Sequence, residues 1–171
     1  NVTNLIVGKA TISGGSPRTG TLTLTGTGTR LNSTSNVSVL NGAVNVLNGA
    51  RLNTDQTLVV AAFNSGVTVT VSGTDSDLGI AKALTVGSQG GSGTVNITAG
   101  AKATINTGIT LAQDSGTTGV LNVSGSGSLL VLTDAALVVG ASGNGTLSIS
   151  NGGTVEAGMR VDVGSNAGST G

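Results

Sequence analysis

Apolar and polar residues alternate along this chain in short bursts, and the bursts return in a fixed order. Residues 137–157, LVVGASGNGTLSISNGGTVEA, hold three of them, at 137–139, 146–150 and 154–156, separated by glycine, serine and asparagine. Alternation at period two between turn residues predicts strands, three per repeat. The same order precedes it at 109–111, 119–124 and 129–131, and again at 84–86, 93–98 and 103–105. It continues back through 58–60, the Val67, Val69, Val71 run and 78–80, where the apolar positions slip by one residue after Gly66. Residues 42–46 with 50–52, and 20–24 with 29–31, complete the series. A glycine opens the middle strand at Gly20, Gly42, Gly93, Gly119 and Gly145, about every 22 to 28 residues, and Gly171 arrives in phase.

Such strands are too short and too one-sided to fold alone, and they bury their apolar residues only when successive coils stack. The expected fold is therefore all-β: a single-stranded parallel β-helix of about six to seven three-strand coils, one domain over residues 1–171. Leu22, Leu24, Val44, Val46, Val67, Val69, Val95, Ile97, Leu121, Val123, Leu147 and Ile149 are expected to form two inward columns. Their outward neighbours Thr23, Asn45, Thr68, Asn96, Asn122 and Ser148 are small and polar, as the solvent side of a half-buried strand requires.

Composition narrows the function. Glycine is 30 of 171 residues, the single aromatic is Phe63, and histidine and cysteine are absent. Mean hydropathy of +0.31 and regularly placed aliphatic residues argue for a core rather than for disorder. Charged residues are only 8% and the formal net charge is +0, which disfavours nucleic acid and anionic membranes as partners. No apolar run approaches a membrane span, so no membrane contact by this segment is expected. The repeat is already under way at Asn1 and still in phase at Gly171, and the expectation is a piece of a longer protein.

Residues 84–105, LTVGSQGGSGTVNITAGAKATI, and 137–157 resemble the passenger-associated β-helix repeat of bacterial autotransporters, the type V secretion proteins. That repeat reads approximately L-x-V-G, then G-x-G-T-L-x-I-S, then G-G-x-V. Gly87, Gly140 and Gly164 match the glycine after the first strand, whereas Leu40, Ala61 and Ala112 replace it, which puts turn geometry at those coils in question. The resemblance implies a right-handed helix, displayed on a bacterial cell surface or released outside the cell, and exported through a C-terminal barrel. It also implies a role as adhesin, self-association factor or stalk.

The candidate chemistry is sparse. The acids Asp55, Asp75, Asp114 and Asp134 fall in turns, Asp77 opens a third strand, and Asp162 lies on a first strand. Asp75-Ser76-Asp77 is the one close pair, and two carboxylates fall short of the six or more oxygens calcium takes. Without histidine there is no Ser-His-Asp arrangement and no ordinary zinc site. No catalytic residue, metal site or cofactor is expected, and the chain is read as not an enzyme. A carbohydrate-active β-helix, the competing class, needs acids and bases converging on one face, and the linear sequence sets them apart.

Arg30 and Arg51 precede Leu31 and Leu52 in adjacent coils and are expected to stack on one outer face, where they could meet a glycan or a carboxylate. Lys9 to Thr19, with the only proline, Pro17, reads as an inserted loop. A threonine ladder of the ice-binding kind is broken by Asn45, Asn96 and Asn122. The expected role is adhesion, display or homotypic self-association through Thr23, Asn45, Thr68, Asn96, Asn122 and Ser148, with Arg30 and Arg51 beside them. Expected partners are copies of itself, lateral or head-to-tail, or a surface protein or glycan. A self-assembling extracellular filament subunit is the alternative.

Overall fold

Stacking is what rescues strands this short. A computed structural model describes residues 1–8 and 18–171 and contains strands joined by turns, with no helix among the described residues. The strands, β1 to β19 in chain order, form three parallel sheets. Sheet 1 runs β1 (Leu5–Val7), β4 (Val37–Val39), β7 (Leu58–Ala62), β10 (Ala83–Ser88), β13 (Gly108–Leu111), β16 (Leu137–Val139) and β19 (Val161–Val163). Sheet 2 runs β2 (Gly20–Thr25), β5 (Gly42–Leu47), β8 (Ser65–Ser72), β11 (Ser92–Thr98), β14 (Thr118–Ser124) and β17 (Asn144–Ser150). Sheet 3 runs β3 (Arg30–Ser33), β6 (Arg51–Thr54), β9 (Asp77–Ile80), β12 (Lys102–Ile105), β15 (Leu129–Leu132) and β18 (Thr154–Ala157). Each strand pairs with its counterparts one coil away, so the architecture is the expected parallel β-helix, about 29 Å along its axis at about 4.8 Å per coil.

The alternation of the sequence becomes the alternation of burial. β11 and β14 switch between half-buried and buried at every residue. The inward side chains make one continuous core in which Leu52, Leu78, Leu84, Ile97, Leu121 and Leu130 are at most 1% exposed. Burying each such side chain stabilises the fold by about 1.5–3 kcal/mol, and each is shared with the coils above and below. At the N-terminal end two hydroxyls take core positions: Ser33 and Thr54 both donate to the Ser35 carbonyl, at 3.0 and 2.6 Å. Among the described residues no buried side-chain polar atom lacks a partner.

One column differs from expectation. The inward residues of sheet 2 run Leu22, Val44, Val69, Val95, Leu121, Leu147 and Leu24, Val46, Val71, Ile97, Val123, Ile149. Val69 and Val71 therefore hold the places expected of Val67 and Val69. Val67 instead faces Gly93, in the position where the other coils put a glycine, and the register shifts at this point. Gly66, with φ +75°, is the extra residue of a bulge that lets the fully buried Val67 in. Elsewhere that place is too tight for a side chain, since a Cβ at Gly119 would collide with the Val86 carbonyl.

Ala61 and Ala112 take the glycine's turn geometry despite their side chains, at φ 62° and 53° against 77° at Gly87 and 72° at Gly140. Leu40 itself has no positive φ, and the left-handed residue there is Gly42, two positions on, at φ 118°. Residues 9–17 of the expected loop, with Lys9 and Pro17, lie outside the described residues. Among the described residues no helix is long and apolar enough to cross a membrane.

Candidate functional site

The outer face of sheet 2 is built from three columns. The middle one runs Thr23, Asn45, Thr70, Asn96, Asn122 and Ser148. Thr68, expected in it, belongs to the neighbouring column with Thr21, Ala43, Thr94, Val120 and Thr146, because β8 sets Thr70, two positions beyond Thr68, beside Asn45 and Asn96, Gly66 being the one extra residue of the bulge. The third column is Thr25, Leu47, Ser72, Thr98, Ser124 and Ser150. No charged residue occurs in any of the three columns. The corrected middle column still interrupts threonine with asparagine, so the face is no regular threonine array.

Adjacent coils place like side chains within reach of one another. The Asn122 amide donates to Asn96 Oδ1 at 2.9 Å, Asn45 to Thr23 Oγ1 at 3.4 Å, and the Ser150 hydroxyl to Ser124 Oγ at 3.1 Å. Each asparagine amide has two donors and a carbonyl acceptor, so one bond along the axis leaves capacity directed outward.

A second surface lies where sheet 2 turns into sheet 3. The first outward column of sheet 3 reads Arg30, Arg51, Asp77, Lys102, Leu129 and Thr154. Arg30 and Arg51 stack in register as expected. The expectation that acids and bases stand apart fails here, because Asp77 is flanked by Arg51 on one side and Lys102 on the other. Together with Thr74, Asp75, Ser76, Gly100, Gly127 and Leu129 they line a groove of about 460 Å³.

Register brings these charges side by side, yet among the described residues the one ion pair within 4.0 Å is Arg160–Asp162, at 2.7 Å. Asp75 is exposed and has φ 64°, in a turn whose equivalents in other coils use Gly28 and Gly127 at that point. Among the described residues no three or more His, Cys, Asp or Glu side chains cluster as metal ligands would.

In the sequence Lys102 is not singled out, and Asp77 is taken as the opening of a third strand and as half of a close acid pair, with no basic partner named. The signal was present: aligning the third strands on their inward residues Leu31, Leu52, Leu78 and Ala103 puts Arg30, Arg51, Asp77 and Lys102 in one line. Phe63, the single aromatic, is 46% exposed at φ 73° beside Gln89 and Gln113 on another face. No protein-family model, curated protein or solved structure matches the chain.

Proposed function

We propose that the chain is a structural, non-catalytic rod of an exported surface protein, and that the outer face of sheet 2 joins it laterally to a second copy. The observation that carries this reading is the charge-free face, mostly threonine, asparagine and serine with Ala43, Leu47 and Val120 among them, set in register across six coils. Its side chains both donate and accept hydrogen bonds, so the face is complementary to itself. A like rod shares its repeat of about 4.8 Å, which allows many contacts to form at once. Each contact adds only about 1 kcal/mol, and the number in register supplies the affinity. Charges on such a face would repel a copy of itself, and these columns carry none. Support for export and surface display comes from the autotransporter-like segments at 84–105 and 137–157.

The test is sedimentation velocity over a concentration series with electron microscopy of the same samples, comparing the chain with an Asn96→Lys/Asn122→Lys variant. Lateral dimers that grow with concentration and vanish in the variant are expected. A chain monomeric at every concentration overturns lateral association. Filaments growing along the axis support the alternative of end-to-end stacking.

A further inference from the structure

Charge is scarce on this rod and it is not spread evenly. Fourteen side chains in the whole sequence are acidic or basic, seven of each sign, and four of them, Arg51, Asp75, Asp77 and Lys102, line a groove between sheets 2 and 3. We propose that this groove binds an acidic glycan carrying a carboxylate on alternate sugars, laid along the rod axis.

Three observations converge on that ligand. Arg51 and Lys102 lie two coils apart, about 9.6 Å, with Asp77 between them. That spacing is commensurate with the disaccharide repeat of an extended glycan in which every second residue is a uronate. The guanidinium and the ammonium receive successive carboxylates, and Asp77 and Asp75 accept hydrogen bonds from the hydroxyls of the sugar between them.

The charges also do not satisfy one another, since no ion pair within 4.0 Å joins Asp77 to either cation. Finally, Asp75 stands at φ 64° where Gly28 and Gly127 occupy the equivalent turns. Eight non-glycine residues among those described are left-handed, so the conformation alone marks no site, but aspartate is one of the few side chains that visit this region readily. The turn holds its carboxylate at the groove where a glycine would hold nothing.

Other ligand classes fit less well. A nucleic acid would bring phosphates against two carboxylates and find no aromatic side chain in the groove to stack on. A hard divalent cation would find two carboxylates flanked by two cations. The groove lies off the sheet 2 face, so its ligand and lateral association stand or fall separately.

Calorimetric titration tests the proposal with three probes: a hexasaccharide of alternating glucuronate and N-acetylglucosamine, the neutral hexamer of N-acetylglucosamine, and a polygalacturonate oligomer with a carboxylate on every sugar. The alternating probe is expected to bind, with the other two weaker by about tenfold or more. Arg51→Gln and Lys102→Gln are each expected to weaken it about tenfold, and Asp77→Asn to weaken it as well. Asp75→Gly is the control for folding: it is expected to lose affinity while its thermal midpoint holds or rises.

Failure of the alternating probe to bind, or equal binding of the neutral hexamer, overturns the proposal. So does tighter binding by Asp77→Asn, the signature of undirected attraction to a polyanion. Equal binding of polygalacturonate overturns the alternate-sugar spacing.

Discussion

The buried hydroxyl of Ser76 ties its coil to Gly49 of the preceding one: it accepts the Gly49 N–H at 3.0 Å and donates to the Ser72 carbonyl at 2.7 Å. Ser128 repeats the arrangement two coils later, accepting the Gly100 N–H at 3.0 Å and donating to Ser124 at 2.7 Å. The coil between carries Ala101 at this position and the coil before Ser76 carries Ala50, so a hydroxyl and a methyl alternate along the axis. Ser76→Ala leaves the Gly49 N–H buried without an acceptor. The expected cost is about 1–3 kcal/mol, read as a lower midpoint in urea denaturation with an unchanged slope.

Core truncation should depend on position along the rod. Leu78 is 1% exposed in a central coil, with Leu52 below it and Ala103 above. Leu78→Ala is expected to destabilise by about 2–5 kcal/mol. Leu147→Ala, in the last sheet 2 strand and already half-buried, is expected to cost clearly less in the same denaturation series.

The turn between sheets 2 and 3 offers a stabilising change. Ala99 is exposed and has φ 55°, whereas the equivalent turns place Asn48 at φ 54° and Asn151 at φ 52°. Asparagine tolerates the left-handed region better than alanine, and glycine better still. Ala99→Gly is expected to raise stability by about 1 kcal/mol, seen as a higher thermal midpoint.

In-register charge predicts a salt-dependent effect. Asp77 separates Arg51 from Lys102, and Asp77→Lys would set four cations from Arg30 to Lys102 in adjacent strands. Like charges directly opposite are expected to cost up to about 1 kcal/mol. The loss should shrink when denaturation is repeated in high salt, because surface charges are screened there. A loss unaffected by salt would show that Asp77 acts through packing instead.

Much of the fold was legible because period-two alternation is local. Residues 146–150 declare their inward and outward sides whatever lies above them, and their recurrence at 93–98 and 119–124 implies stacking. β1 at Leu5–Val7 and β4 at Val37–Val39 are three residues each and lie in the least regular coils, whereas the equally short Leu137–Val139 is legible because it sits in the most regular copy of the repeat. The outer-face positions Thr23, Asn45, Asn96, Asn122 and Ser148 were readable for the same local reason. Thr68 was not, because its column depends on the bulge at Gly66 two residues away.

By itself the sequence determined which residues point inward, the three-strand repeat and the pairing of Arg30 with Arg51, since each follows from short-range alternation and an even period. Only the tertiary structure decided the register between strands roughly 26 residues apart. Stacking, not local preference, sets that register: Val67 is seated where other coils keep a glycine, and the chain absorbs the difference at Gly66. The same stacking brings Asp77 between Arg51 and Lys102, residues on three separate coils that meet because one-coil contacts, about 4.8 Å apart, are the strongest this fold makes.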